Sequence, residues 1–293
     1  MSQQIPTAMV KQYHDSVEML VQQEGSRLRG TVRNESQSSE EQFWEQIGPT
    51  AALTIANRHG DSPQVDTPHD RRRVTQEFFD WGDFVDKIDK VRILIDPTGA
   101  YSKNAAYALG RRCDEIILAA MFGSAGTGKD GTTVVNFPAG NIVALNFGGS
   151  NVGLTVAKLV EGRRLMKRAN VDLRMEELHI AVASSQEADL LNTTEVTSAD
   201  YNSVKALVRG DVDSFLGITF EPTELVPLLP ASTNRAVPLY CKSGLLFAQN
   251  PDITTNIVQR WDKRGSIYVY AMMGAGAVRM QEPKIIQINC VDV

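Results

Sequence analysis

The sequence predicts an α+β chain. One long helix carries Tyr101, Ala105, Ala108, Leu109, Cys113, Ile116, Ile117 and Ala120 at three- and four-residue spacing. Strand-like stretches lie on both sides of it, at 43–56, 72–81, 178–183, 266–280 and 284–290. A polar segment and a long hairpin precede the helix. At 293 residues there is room for one large domain or two small ones.

From the N-terminus, 6–21 can form an amphipathic helix with Met9, Val10, Tyr13, Val17, Leu20 and Val21 on one side. Over 22–42 only Leu28 and Val32 interrupt Ser, Arg, Glu and Gln. Such a stretch buries too little surface to fold alone, so it reads as an arm that orders only against another surface. The strands 43–56 and 72–81 are joined by a polar connection carrying Gly60, Pro63 and Pro68. A lone two-stranded hairpin is marginal in water, so this one is expected to protrude and pack on a neighbour.

Asp80, Asp83, Asp86 and Asp89 recur at every third position. A calcium loop needs more oxygen ligands and a glycine turn, which leaves a solvated or salt-bridging face. Arg71, Arg72 and Arg73 could touch phosphate, but strand alternation points neighbouring side chains to opposite faces. Inter-subunit salt bridges suit them better. Asp96-Pro97-Thr98 starts the long helix after a strand at 91–95, and its run to about 122 makes a rod of roughly 35 Å.

Further helices fit 154–169, 186–191 and 199–208. The strand at 178–183 places Leu178, Ile180 and Val182 on one face. Over 211–265 strands mix with turn signals at Pro222, Pro227, Pro230, Pro238 and Pro251. The chain closes with 266–280 and 284–290 read as a strand pair turned at Gln281-Glu282-Pro283.

Residues 123–130, Gly-Ser-Ala-Gly-Thr-Gly-Lys-Asp, fall one residue short of the phosphate-binding loop G-x-x-x-x-G-K-[ST]. Asp130 replaces the hydroxyl that would bind Mg²⁺. A helix pattern enters the loop and the strand-like Thr132-Thr133-Val134-Val135 leaves it, the reverse of what the motif requires. Asp96 is the only candidate for a Mg²⁺-binding aspartate after an apolar strand, and it precedes the loop. Glycine-rich helix termination is the competing reading.

Other chemistry is scarce. His14, His59, His69 and His179 form no zinc spacing. A surface metal at His59 and His69, with Asp61, Asp66 and Asp70 nearby, competes with a functionless polar tip. No G-x-S-x-G elbow occurs, and Cys113, Cys241 and Cys290 lack a histidine partner and metal spacing. No catalytic, cofactor or metal residue is therefore expected. Hydrophobic content of 42% and charge of 22% are ordinary for a globular protein. A net charge of −5 argues against a dedicated nucleic-acid binder. No apolar run approaches a membrane span or a signal peptide, and cysteine usage suits a reducing cytoplasm.

Several stretches together resemble the major capsid proteins of tailed bacteriophages, which share the Hong Kong 97-like fold. Arg71-Arg72-Arg73-Val74 is similar to the return strand of that family's extended hairpin, the E-loop. Residues 86–97, Asp-Lys-Ile-Asp-Lys-Val-Arg-Ile-Leu-Ile-Asp-Pro, lead into the helix as the family's strand leads into its spine. Residues 111–128, Arg-Arg-Cys-Asp-Glu-Ile-Ile-Leu-Ala-Ala-Met-Phe-Gly-Ser-Ala-Gly-Thr-Gly, resemble a spine helix ending in a G-x-x-x-T-G turn. The succession 154–169 then 178–183 resembles the entry to an axial domain, and the closing strands resemble its return.

The resemblance implies an arm at 1–42, an E-loop at 43–86, a peripheral domain at 87–177 with spine 98–122, an axial domain at 178–265 and a return over 266–293. It implies hexamers and pentamers of one icosahedral shell around double-stranded DNA held by weak nonspecific contact. Phe43, Trp44, Arg71, Arg72, Arg73, Asp80, Asp83 and Asp86 become the inter-subunit contact candidates. The partners implied are a portal, a cement or decoration protein and, with only ~40 residues before the hairpin, a separate scaffolding protein. No membrane is implied, and the place is the virion, assembled in the host cytoplasm. Some members crosslink through a hairpin lysine, but none occurs between Phe43 and Asp86. The rivals are an encapsulin-like compartment and a nucleotide-binding enzyme built on Gly123 to Lys129.

Overall fold

The computed structural model describes residues 20–54, 58, 60, 64–86, 98–191 and 214–292. Nearly all of the helix expected at 6–21, the strand at 91–95 and the helix at 199–208 lie outside these residues.

The long helix forms as expected, as α1 (Thr98–Phe122). Its buried side chains Ala105, Leu109, Cys113, Ile117 and Met121 recur every four residues and make one continuous stripe. That stripe lies on β14 (Ser266–Arg279), the centre of a five-stranded sheet. β4 (Glu77–Val85) pairs along one edge of β14. β12 (Leu245–Gln249) and β13 (Thr254–Arg260) pair with it as well, and β1 (Arg33–Ser36) runs parallel to β12.

A six-stranded sheet has the order β7-β15-β11-β8-β10-β9. Its strands are β7 (Ile142–Val143), β8 (Leu178–Val182), β9 (Ser214–Phe215), β10 (Ile218–Pro222), β11 (Arg235–Cys241) and β15 (Ile285–Cys290). α2 (Val156–Arg168) packs on it so closely that a Cβ at Gly162 would stand 2.8 Å from Leu239 Cδ2. α3 (Ser184–Leu191) follows β8. All five residues of β8 are buried, not only the three expected, because this strand is interior to its sheet and covered on both faces.

The hairpin forms from β2 (Glu41–Ile47) and β3 (His69–Thr75), in a four-stranded sheet with β5 (Ala125–Thr127) and β6 (Thr133–Val135). Its strands are shorter than expected, and the return stretch 72–81 divides at Gln76. Gln76 N–H donates to Glu40 O at 2.9 Å, closing the hairpin base. Beyond it the chain leaves for β14 as β4.

Two expectations are corrected. β14 and β15 do not pair with each other: Glu282–Lys284 is a 3-10 turn that carries the chain from one sheet into another. β14 already has β4 on one side and β12 and β13 on the other, while β15 inserts between β11 and β7. Strand membership therefore crosses the boundary expected at 265, since β12 and β13 belong to the sheet under α1. The described part of the arm, residues 20–42, also packs on its own chain. Leu28 and Val32 are completely buried in the chain's own core, and β1 is a strand of its own sheet. Sparse apolar residues suffice here because backbone pairing and a buried carboxylate hold the rest. Among the described residues, no helix is long and apolar enough to cross a membrane.

Candidate assembly surfaces

Two buried polar junctions set the position of the arm and the hairpin. The first is Asp114, fully buried in the middle of α1. Its carboxylate accepts from Gln23 Nε2 at 2.6 Å, Ser26 Oγ at 2.5 Å, Arg27 N at 3.0 Å and Leu28 N at 3.1 Å. One turn earlier, Gly110 lets the arm cross: a Cβ there would stand 2.6 Å from the carbonyl carbon of Gly25. The arm then ties to both large sheets, through Thr31 Oγ1 and Tyr240 OH at 2.6 Å and through Arg29 to Asp252 at 2.9 Å.

The second junction is Arg72–Glu282–Arg279. Arg279 is completely buried and donates to Met121 O at 3.0 Å, Gly123 O at 2.7 Å and Val135 O at 3.1 Å. A cation thereby caps the carbonyl end of α1, where the helix dipole is negative. Glu282 lies 3.7 Å from Arg279 and accepts from Arg72 at 2.8 and 3.1 Å. Arg72 and Gln46 both donate to Met280 O, so the hairpin base is bolted to the end of the spine.

Within the chain, each arginine of the triple has an acidic partner. Arg72 is 6% exposed and spent inside its own chain. Arg71 pairs with Glu45 at 2.7 Å and stands over the Phe43 ring at 5.6 Å, and Arg73 pairs with Glu41 at 3.2 Å. Trp44 packs on a small cluster of Val74, Ala125, Leu246, Ala248, Val278 and Met280. Phe43 and Trp44 are half-buried. Asp80, Asp83 and Asp86 are exposed on β4 and just past its end. Asp83 accepts from Phe84 N at 2.8 Å, and Asp86 accepts from Ser266 Oγ.

Sequence reasoning missed Asp114, Gly110, Arg279 and Glu282. The available signal was a carboxylate within a turn of buried positions, four residues after a glycine. Ile47, Leu53 and Val65 were also missed; in and beside the hairpin loop they are 70%, 58% and 43% exposed.

The near-miss phosphate loop is a β-hairpin. Gly128 (φ +84°) and Gly131 (φ +66°) turn β5 into β6, and no helix leaves the turn to aim N–H groups at a phosphate. A shallow depression of about 230 Å³ beside it is lined by Glu45, His69, Asp70, Arg71, Gly128 and Lys129. The cysteines are free and buried. Burial raises Cys113 to about 11 and Cys241 and Cys290 to about 12, so they stay protonated and inert. His179 stacks on Tyr240 at a centroid distance of 5.9 Å. Among the described residues no group of three or more His, Cys, Asp or Glu could hold a metal. The His59 half of the metal reading lies outside them.

The arm straps the spine helix, Arg72 and Gln46 fix the hairpin base to its end, and the two large sheets share one core. A family model described as phage capsid protein matches residues 5–292, and the chain belongs to that family. Its fold is the Hong Kong 97-like fold, and the chain is a major capsid protein of a tailed phage that forms an icosahedral shell. The cyanophage P-SCSP1u capsid matches with a TM-score of 0.74 at 14% identity, over 99% of this chain and 95% of that one. Mycobacterium phage Che8 matches with a TM-score of 0.70 at 12% identity, over 96% of both chains. The capsid of a native GTA particle matches with a TM-score of 0.68 at 12% identity, over 97% and 96%. No curated protein matches the chain.

Proposed function

We propose that copies of this chain close the shell by lapping the β2–β3 hairpin and its loop over the adjacent copy. Exposure of Ile47, Leu53 and Val65 on a rigidly anchored hairpin carries this reading. Covering each such side chain yields about 1.5–3 kcal/mol, and the gain repeats at every equivalent contact of a symmetric assembly. The contacts are noncovalent, since the hairpin has no lysine and a guanidinium is a poor nucleophile.

Hexamers and pentamers enclose double-stranded DNA. The net charge of −5 suits a container that holds a polyanion without trapping it. Assembly in the host cytoplasm draws on a scaffolding protein and a portal, and a cement protein can reinforce the mature shell. The chain performs no catalysis. Replacing 48–68 with a short glycine turn should leave the melting midpoint near the parent's and abolish shell formation. Normal shells from that variant would overturn the reading.

A further inference from the structure

Arg71, Arg72 and Arg73 each pair with an acid of their own chain, and the exposed acids of β4 lie elsewhere. β13, β14 and β4 form a ribbon in which, among the described strands, β13 and β4 each pair only with β14. The ribbon therefore has two open edges. One carries exposed acids on both faces, Glu77 and Asp83 on the face of Phe79 and Trp81 and Asp80 on the opposite face, with Asp86 exposed just past the strand end. None of these four makes an ion pair with a described residue.

At the other edge, all seven residues of β13 are exposed, Ile257 and Val258 among them. The strand reads Thr-Thr-Asn-Ile-Val-Gln-Arg, without the lysine or proline that commonly guards an open edge. It runs into Arg260, Asp262, Lys263 and Arg264. Arg260 and Asp262 neutralise each other at 2.9 Å, whereas Lys263 and Arg264 have no ion-pair partner among the described residues.

We propose that the acidic β4 edge of one copy docks on the β13 edge and the Lys263–Arg264 corner of a second copy. This rests on the shell reading and names a joint within it. The two patches are different and complementary, so the contact is head-to-tail, the kind that builds rings about a symmetry axis when its rotation closes. β13 offers about 24 Å of unpaired backbone, a length comparable to that of β4. Exposed charge pairs add little affinity, but they select register and exclude like edges.

The test reverses each edge. Asp80→Lys/Asp83→Lys and Lys263→Glu/Arg264→Glu should each raise the critical concentration for shell assembly by about tenfold or more. The unassembled proteins should melt as the parent does, because all four side chains lie on the surface. The fourfold variant restores opposite charges across the joint and should assemble within about threefold of the parent. A charge-reversed pair that assembles normally, or a fourfold variant as defective as the pairs, would overturn the proposal. If the parent itself forms no shells under conditions that include a scaffold, the shell reading falls and this one with it.

Discussion

Asp114 and Leu28 are joined by a hydrogen bond of 3.1 Å from the arm's backbone to a carboxylate buried in the middle of the spine helix. That contact makes the arm part of the subunit's own core. Asp114→Ala leaves two backbone N–H groups and the Ser26 hydroxyl without their acceptor, which should cost roughly 2–4 kcal/mol in urea unfolding of the unassembled protein. Asp114→Asn, which keeps one acceptor oxygen, should cost less. Gly110→Ala should be destabilising by about 1–3 kcal/mol, because the methyl meets backbone that cannot swing away. Unchanged stability in both Asp114→Ala and Gly110→Ala would mean the arm is not docked there.

Deleting residues 2–36 should lower the melting midpoint strongly. It removes Leu28, Val32 and the whole of β1, and each fully buried side chain is worth about 1.5–3 kcal/mol. A truncated protein that melts with the parent would restore the arm to the role its composition suggests.

That contrast shows what the sequence could convey. α1 was legible because its apolar residues repeat every three or four positions, and the hairpin because polar turn residues separate two strand-like runs. The arm was not legible, because its anchorage depends on one carboxylate some 90 positions away in the chain and on backbone groups, neither of which leaves a periodic trace. Arg72 looked like surface charge for a similar reason, since Glu282 is its neighbour only after folding. The closing strands were found, but pairing is decided by which edges are already occupied, and no local pattern records that.

Breaking the second junction should separate stability from assembly. Glu282→Ala leaves two buried guanidinium groups facing one another and should cost about 3–5 kcal/mol. A double-mutant cycle between Arg72 and Glu282 should show coupling on the order of 1 kcal/mol or more. Additive effects would mean the hairpin base is held by packing alone.

Lys129→Ala should leave assembly and particle infectivity intact, because the turn it sits in only reverses a strand. ATP and GTP should not shift the melting midpoint of the parent. A nucleotide-dependent rise that Lys129→Ala removes would revive a phosphate-binding role, since a ligand that binds the folded state alone must stabilise it.

Acid should weaken the subunit. A hydrogen bond from Arg29 holds Asp252 below its ordinary value, as one from Thr127 does for Asp70 and one from Ser185 does for Asp292. Unfolded carboxylates of this kind titrate near 3.9. Their stabilisation is therefore complete above about pH 4 and is lost as pH falls through the lower folded values. The melting midpoint should drop on acidification from pH 4 toward 2, and Asp252→Asn should flatten part of that drop. An identical acid profile in Asp252→Asn would remove the Arg29 pair from the account.

The central claim is that this chain builds a closed shell from copies of itself. Electron microscopy of the expressed protein, alone and with the proposed scaffolding protein, tests it most directly. The expected image is a population of closed isometric particles whose boiled mature form runs as a single band at the monomer mass. Protein that stays monomeric at high concentration with the scaffold present would contradict the account.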